Sequence, residues 1–138
     1  MTADNPIRNV SDTALWVAVY RGTESERADA HFHDPYARRL AGERGQAIVD
    51  AMPRGHTMGW PMVVRTAVMD EIVLRCVQQG ATTVLNLAAG LDARPFRLAL
   101  PSSLRWLHVD SAAHAGRRSS KPFLRVPKPA GHSSFAPA

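Results

Sequence analysis

The sequence has little cysteine, no long apolar run and no leader-like N-terminus, and each absence excludes a class of protein. Its single cysteine, Cys76, cannot form a disulfide within the chain, and its apolar helical surroundings predict a buried, reduced thiol. No segment approaches the roughly 20 apolar residues that span a bilayer. Residues 1–6 carry neither a basic nor an apolar segment, which argues against secretion. We therefore expect a cytoplasmic protein that has no membrane partner.

Lysine is scarce and confined to one end of the chain, where Lys121 and Lys128 are the two lysines of the sequence. Residues 1–110 contain twelve arginines and twelve acidic residues, whereas residues 111–138 contain five basic residues and no acidic one. The net charge of +5 therefore belongs to the last segment. Because that segment also holds four prolines and no sustained apolar period, we predict one domain over 1–110 and a basic, Pro- and Ser-rich disordered tail over 111–138.

The first half of the chain has the apolar spacing and the turn residues of helices. The first predicted helix is capped by Ser11 or Asp12 and ends at Gly22, and the second runs from Asp34-Pro35 to about Leu40. Gly42 and Gly45 separate the second helix from a third over residues 46–52. The fourth helix covers residues 61–79 and ends at Gly80. The longest of these has a helically spaced apolar face that we expect to be buried, formed by Val63, Val64, Ala67, Val68, Ile72, Val73, Cys76 and Val77. Glu71 and Arg75 form a favourable i,i+4 pair on it.

A strand, a short helix and a second strand follow. The first strand is predicted over Thr83–Ala88 and is apolar enough to be buried on both faces, as parallel strands are. The second is predicted over Leu104–Val109. Asp92 is a candidate cap for the intervening helix, and Pro95 is tolerated in its first turn. This order predicts an α/β fold with a helical N-terminal extension.

The turn after the first strand indicates a nucleoside ligand. Gly90 lets the backbone approach a ligand closely, and Asp110 follows 20 residues later at the tip of the second strand, where a carboxylate accepts hydrogen bonds from ribose hydroxyls. The pattern does not say which nucleoside binds. An NAD-type oxidoreductase is the alternative, although the turn lacks G-x-G-x-x-G and a long helical extension is unusual for that fold.

Residues 9–110 resemble the class I S-adenosylmethionine-dependent methyltransferases, and within them the bacterial group of the leucine carboxyl methyltransferase branch. The matching segments are Ser11-Asp12-Thr13-Ala14, Asp34-Pro35-Tyr36-Ala37 with Leu40-Ala41-Gly42, Val64-Arg65-Thr66-Ala67 with Asp70, Asn86-Leu87-Ala88-Ala89-Gly90-Leu91-Asp92-Ala93-Arg94, and Val109-Asp110. The resemblance implies the first strand–helix–strand unit of a doubly wound, Rossmann-like sheet.

The resemblance also implies a cofactor, S-adenosyl-L-methionine, and a set of residues that bind it. By this analogy Arg65 pairs with the carboxylate of the cofactor, Gly90 and its neighbours form the turn beneath the methionine part, and Asp110 binds the ribose hydroxyls. The full set of expected cofactor-binding residues is Arg65, Asn86, Ala88, Gly90, Asp92 and Asp110. The implied reaction is methyl transfer to the oxygen of a carboxylate or hydroxyl on a small molecule. The resemblance identifies no catalytic residue.

Two departures from the family pattern stand out. The common methyltransferase turn has more glycine than Leu87-Ala88-Ala89-Gly90, although a methyl group at Ala88 is compatible with it. Family members also continue through several more strand–helix units after the second strand, whereas residues 111–138 are too few and too aperiodic for one such unit. The chain is therefore expected to be a truncated or frame-shifted fragment with little or no activity.

Two other readings of the sequence predict no additional site. His31 and His33 alternate and would point to opposite sides of an extended segment, and no third ligand has a recognisable spacing, so no metal is expected. The basic run Arg117-Arg118-Ser119-Ser120-Lys121 could attract nucleic acid through counterion release. A solvated tail is the favoured interpretation, and a nucleic-acid partner is not expected.

Overall fold

The computed structural model describes residues 7–110 and 124–125. Its elements are α1 (Val10–Ser25), α2 (Ala37–Ala51), a 3-10 turn (Gly55–Thr57), α3 (Trp60–Gln78), β1 (Thr83–Leu87), α4 (Arg94–Arg97), β2 (Arg105–Val109) and β3 (Leu124–Arg125). The predicted order of helices followed by a strand–helix–strand unit is therefore confirmed. In the described part of the chain, no helix combines the length and the apolar character needed to cross a membrane.

Helix α1 begins earlier and ends later than predicted. Its N-cap is Asn9, whose side chain accepts a hydrogen bond from the Asp12 backbone N–H at 3.1 Å, rather than Ser11 or Asp12. The helix also runs three residues beyond Gly22. A Cβ at position 22 would lie 3.1 Å from the side chain of Arg38, so the glycine there allows α2 to pack closely instead of ending the helix.

Helix α2 consists of two helical segments that meet at Gly42, where the sequence predicts a break. This glycine has a φ of 57° and produces a kink inside the helix. Gly45 is a packing position, since a Cβ there would lie 3.0 Å from the backbone oxygen of Leu15 on α1. The helix begins at Ala37, three residues after Asp34, whose side chain accepts from the backbone N–H of Tyr36 at 3.1 Å.

The hydrophobic core of the described residues lies between α1 and α2. Its fully or nearly buried members are Ala18, Val19, Tyr20, Ala41 and Val49. The Tyr20 hydroxyl donates to the Gly55 carbonyl at 2.6 Å, which satisfies the polar group that this ring carries into the core. The helical extension is thus a packed unit that can support neighbouring elements.

Helix α3 ends one residue before the predicted end, and Gly80 follows with a φ of 99°. The predicted Glu71–Arg75 pair is present at 3.3 Å. The predicted burial of its apolar face is only partly correct, because Val63 is buried whereas Val64, Val68 and Ile72 are 40–47% exposed. Cys76 is also exposed, so the expectation of a buried thiol was wrong. Among the described elements, α1 is the main neighbour of α3, which leaves the opposite face of α3 open.

The two longer strands form a parallel pair, with Thr83 opposite Arg105 and Leu87 opposite Val109. Strand β3 pairs antiparallel with β2; the rest of the predicted disordered tail lies outside the described residues.

Leu85 and Leu87 are 55% and 65% exposed, so the expected burial of the first strand on both faces was wrong. Their side chains lack cover within residues 7–110. Because β1 and β2 are parallel, their carboxyl ends meet at one edge.

Candidate functional site

A cleft of about 860 Å³ opens at the carboxyl ends of β1 and β2. Helices α1 and α3 and the turn after β1 form its walls. The structure brings all six predicted site residues to this cleft, whose lining includes Arg65, Asn86, Ala88, Gly90, Asp92 and Asp110. A site at the carboxyl end of parallel strands is the usual ligand position in open α/β sheets.

The turn between β1 and α4 has an unusual backbone. Ala88 and Gly90 both have positive φ angles, 53° and 52°. A Cβ at Gly90 would lie 3.3 Å from the Cβ of Ala14, so α1 approaches the turn closely at this point. The backbone N–H of Gly90 donates to Asp110 Oδ2 at 2.6 Å. The tip of β2 therefore holds the turn after β1 by a direct, charge-assisted hydrogen bond.

Replacing Ala88 with glycine is expected to stabilise the protein by about 1 kcal/mol, because the left-handed conformation costs an L-residue about 1–2 kcal/mol that glycine avoids. Thermal unfolding of Ala88→Gly should show a higher Tm than the parent. Ala89, the next residue, is buried and has no positive φ, so Ala89→Gly is the matched control and should lower the Tm. A lower Tm for Ala88→Gly would contradict the strain at this turn.

Arg65 contributes a positive charge to the cleft. It lies on α3, is exposed, and makes no hydrogen bond or ion pair with another residue in the described part of the chain. A guanidinium without hydrogen-bond partners among the described residues has all five of its N–H donors available for a ligand. The cleft thus carries a cation from α3 and a carboxylate, Asp110, from the end of β2.

Asn86 and Asp92 contact each other across the turn. Asn86 Nδ2 donates to Asp92 Oδ2 at 2.6 Å. Asp92 Oδ1 accepts from the backbone N–H of Arg94 at 2.9 Å, at the start of α4. Asp92 therefore serves as an acceptor for the first turn of this helix, in line with the predicted capping role, although Ala93 occupies the N-cap position. Asp92 also lines the cleft, so one side chain joins the helix start to the site.

A chain of buried charges lies behind the turn, and sequence reasoning did not predict it. We call it the arginine–aspartate network; it consists of Arg21, Asp34, Asp70, Asp92, Arg94 and Arg97. Three arginines face three aspartates, so the network is neutral. The side chains of Asp34 and Arg97 are 0% and 3% exposed. Charges so deeply buried are retained only when they are paired.

Arg94 keeps its charge in spite of burial. Burial lowers the pKa of the Arg94 guanidinium, but the carboxylates of Asp92 and Asp70 outweigh burial and raise that pKa above its ordinary value. Arg97 also lies over the ring of Phe32, 5.3 Å from its centre. Asp34, Asp70 and Arg94 belong to segments that carried the family resemblance, but nothing in their spacing indicated that they pair.

A sequence model of the leucine carboxyl methyltransferase family matches residues 14–121. The chain belongs to this family. The match extends past residue 110, where the resemblance noted from the sequence stops, into the first part of the basic segment. Four of the segments that carried the resemblance, over residues 11–14, 64–67, 86–94 and 109–110, contribute residues to the cleft, whereas those over 34–37 and 40–42 do not.

Relatives of this family member carry consistent names. It is 37% identical over 109 residues to a Streptomyces coelicolor protein named "Putative S-adenosyl-L-methionine-dependent methyltransferase", covering 73% of this chain and 38% of that protein. A protein of the same name from Frankia alni is 33% identical over 117 residues, which cover 78% of this chain and 41% of that protein. Another from Mycobacterium bovis is 33% identical over 114 residues, which cover 74% of this chain and 38% of that protein. The chain spans about two-fifths of the length of these curated relatives.

The two histidines considered as metal ligands have separate partners in this family member. His31 Nδ1 lies 2.9 Å from Glu24 Oε1, and its ring packs edge-on against Trp60. His33 Nδ1 lies 3.2 Å from the Ser25 carbonyl oxygen. Within the described residues, no group of three or more histidine, cysteine or acidic side chains has the arrangement of a metal site.

His108 is expected to make the stability of the fold sensitive to pH. Burial lowers the pKa of its imidazole from the ordinary value of 6.5, although the Asp92 and Asp110 carboxylates act in the opposite direction. The folded state therefore binds the proton less tightly than the unfolded state. The free energy of unfolding should be highest above about pH 6.5, and should fall as the pH drops through the window between the unfolded and folded pKa values.

Urea unfolding at several pH values between 5 and 8 tests this expectation. His108→Gln removes the titrating group, so the fall in unfolding free energy below pH 6.5 should become smaller than in the parent. An equal fall in both proteins would show that other groups cause it.

Proposed function

We propose that the cleft binds S-adenosyl-L-methionine and that the chain is part of a methyltransferase. The observation that carries the proposal is that the Arg65 guanidinium, the Gly90 turn and the Asp110 carboxylate line one cleft at the carboxyl edge of a parallel sheet. Family membership and the names of the relatives support it. The roles of the six lining residues are part of this proposal.

The residues present fit the charged and polar groups of this cofactor. Arg65, with no partner among residues 7–110, can grip a carboxylate through two parallel hydrogen bonds. The missing Cβ of Gly90 lets Ala14 of α1 approach the turn closely, and both residues line the cleft. Asp110 accepts a hydrogen bond from Gly90, and a carboxylate can accept from several donors at once, ribose hydroxyls among them.

Each wall of the cleft then has a separate task. When bound, S-adenosyl-L-methionine supplies a methyl group activated by its sulfonium sulfur. Arg65 and Asp110 orient the two ends of the ligand, and the turn fixes its distance from the sheet. Val17, Met62 and Met69 provide apolar lining from which a bound ligand would displace water. Alignment and exclusion of water are what a protein adds to a transfer between two bound groups.

We further propose that the acceptor is the oxygen of a carboxylate or hydroxyl on a small molecule, and that the 138-residue polypeptide alone has little or no turnover. The exposure of Leu85 and Leu87 on β1 supports the second part, because the sheet beside the cleft lacks cover in the described residues. Incubation with tritiated cofactor and a panel of carboxylic, phenolic and amine acceptors tests both parts. Robust transfer would refute the expected inactivity, and transfer to a nitrogen acceptor alone would refute the acceptor class.

Binding of S-adenosylhomocysteine to the purified chain tests the cofactor assignment independently of turnover. At about 100 times its Kd the product should stabilise the fold by about 2.7 kcal/mol, which raises the Tm by several degrees. NAD serves as the comparison ligand, because an NAD-type site is the alternative interpretation of the same turn. A rise in Tm with NAD and none with S-adenosylhomocysteine would overturn the assignment.

A further inference from the structure

The structure assigns a positioning role to Asp70, which does not itself line the cleft. We propose that Asp70 holds residues 88–92, the ligand-binding turn, in its binding shape by fixing Arg94 and Arg97. This inference rests on the proposed function for its ligand, but its structural part stands on the contacts of the arginine–aspartate network. Asp70 lies on α3 and is 7% exposed.

Asp70 binds both arginines of α4. Its Oδ1 accepts from Arg94 Nε and from Arg97 Nη2, each at 2.7 Å, and its Oδ2 lies 2.7 Å from Arg97 Nη1. Arg97 therefore meets the carboxylate through two nitrogens at once, which fixes its orientation as well as its distance. Helix α4 has only four residues and no side-chain cap at Ala93, so these ion pairs are a major constraint on where it lies.

The arginine–aspartate network reaches the ligand-binding turn at two points. On one side Arg94 Nη1 lies 2.8 Å from Asp92 Oδ2, the atom that also accepts from Asn86. On the other side Arg97 Nε lies 3.8 Å from Asp34 Oδ2, which is 2.9 Å from Arg21 Nε.

Arg21 completes the second route by donating from Nη2 to the Leu91 carbonyl at 2.6 Å. The network therefore begins and ends on adjacent residues of the turn, with Asp70 at its centre. Arg94 pairs with Asp92 and Arg21 donates to the Leu91 carbonyl, so two of the buried arginines make these contacts only when the turn lies where it does. A binding turn preorganised in this way does not have to be ordered by its ligand.

A charge-balanced double variant separates this role from general stability. Asp70→Asn with Arg97→Gln removes one charge of each sign and leaves the Arg21–Asp34 and Arg94–Asp92 pairs, so no buried charge is left without a partner. The matched control removes the Asp12–Arg44 pair, 3.0 Å apart between α1 and α2, by Asp12→Asn with Arg44→Gln. Neither member of the control pair lines the cleft, whereas Arg97 does, so the exchange rates separate positioning of the turn from direct loss of a lining charge.

Two measurements on the full 138-residue chain show whether Asp70 positions the ligand-binding turn or only stabilises the fold. Amide hydrogen exchange at residues 90–92 should be about tenfold faster in the Asp70/Arg97 variant than in the parent, and the affinity for S-adenosylhomocysteine should fall about tenfold. The Asp12/Arg44 control should change neither, whatever it does to the Tm. If both double variants lose stability while exchange at the turn and affinity stay as in the parent, Asp70 is merely structural and the inference is overturned.

The design also covers two other results. If the parent chain does not bind S-adenosylhomocysteine, the proposed function fails, and the exchange rates alone then confirm or overturn the positioning role. If the Asp70/Arg97 variant does not fold, Arg94→Lys takes its place, since a lysine keeps the charge but cannot span Asp70 and Asp92 with a planar fork. The same faster exchange is expected, and unchanged exchange overturns the inference.

Discussion

Asp34→Asn is expected to lower the free energy of unfolding by about 3–5 kcal/mol, the typical cost of removing one partner from a buried ion pair. The Asp34 side chain is fully buried and lies 2.9 Å from Arg21 and 3.8 Å from Arg97, whose side chains are 10% and 3% exposed. An amide keeps the shape but removes the charge, so two buried guanidinium groups lose part of their compensation. Urea unfolding followed by circular dichroism measures the effect.

Asp29→Asn is the control for this prediction. Asp29 forms an ion pair of the same length, 2.9 Å with Arg27, but its side chain is 76% exposed and water can replace the lost charge. Exposed pairs contribute little to stability, so the unfolding curve should barely move. If Asp34→Asn and Asp29→Asn lowered the free energy of unfolding equally, a buried ion pair of the arginine–aspartate network would contribute no more to stability than an exposed one.

Arg65→Gln is expected to weaken binding of S-adenosylhomocysteine by about 10- to 100-fold, because a hydrogen bond to a charged group is worth about 1.5–3 kcal/mol. Arg65 makes no contact of its own with charged groups among the described residues, so its loss should leave the Tm of the free protein nearly unchanged. Isothermal titration calorimetry measures the affinity, and a thermal scan without ligand measures the stability.

Arg75→Gln on the same helix provides the comparison. Arg75 is exposed, pairs with Glu71 at 3.3 Å and does not line the cleft. Arg75→Gln therefore removes the same charge as Arg65→Gln, but at a distance from the site. Its affinity should match that of the parent. Equal weakening by both variants would mean that Arg65 acts through the overall charge of the protein, and no weakening by either would remove Arg65 from the site.

The order of the elements could be predicted because local signals determine it. Helical spacing followed by an apolar strand, a glycine turn and a second strand ending in Asp110 is visible in the sequence, and the parallel pairing of β1 and β2 follows from that order. The grouping of the site residues follows for the same reason. Parallel strands bring Gly90 and Asp110 to one edge, and the structure joins them by a 2.6 Å hydrogen bond.

Features that depend on tertiary neighbours were not predictable in this way. Gly22 and Gly45 read as helix ends or breaks, but their role is to let α1 and α2 approach each other. Cys76 and Leu85 are apolar in pattern and were expected to be buried, yet a pattern cannot show whether a covering element is present. The pairing of Asp70 with the arginines of α4 joins residues 24 and 27 positions apart, and no local rule predicts it.

An NMR titration of the ¹⁵N-labelled chain with S-adenosylhomocysteine tests most directly whether one ligand contacts three separate elements. We expect the backbone amides of Gly90 and Asp110 and the side-chain Nε–H signal of Arg65 to shift together and give one Kd. Shifts that leave the Arg65 side chain unchanged, or that map away from the cleft, would contradict this expectation.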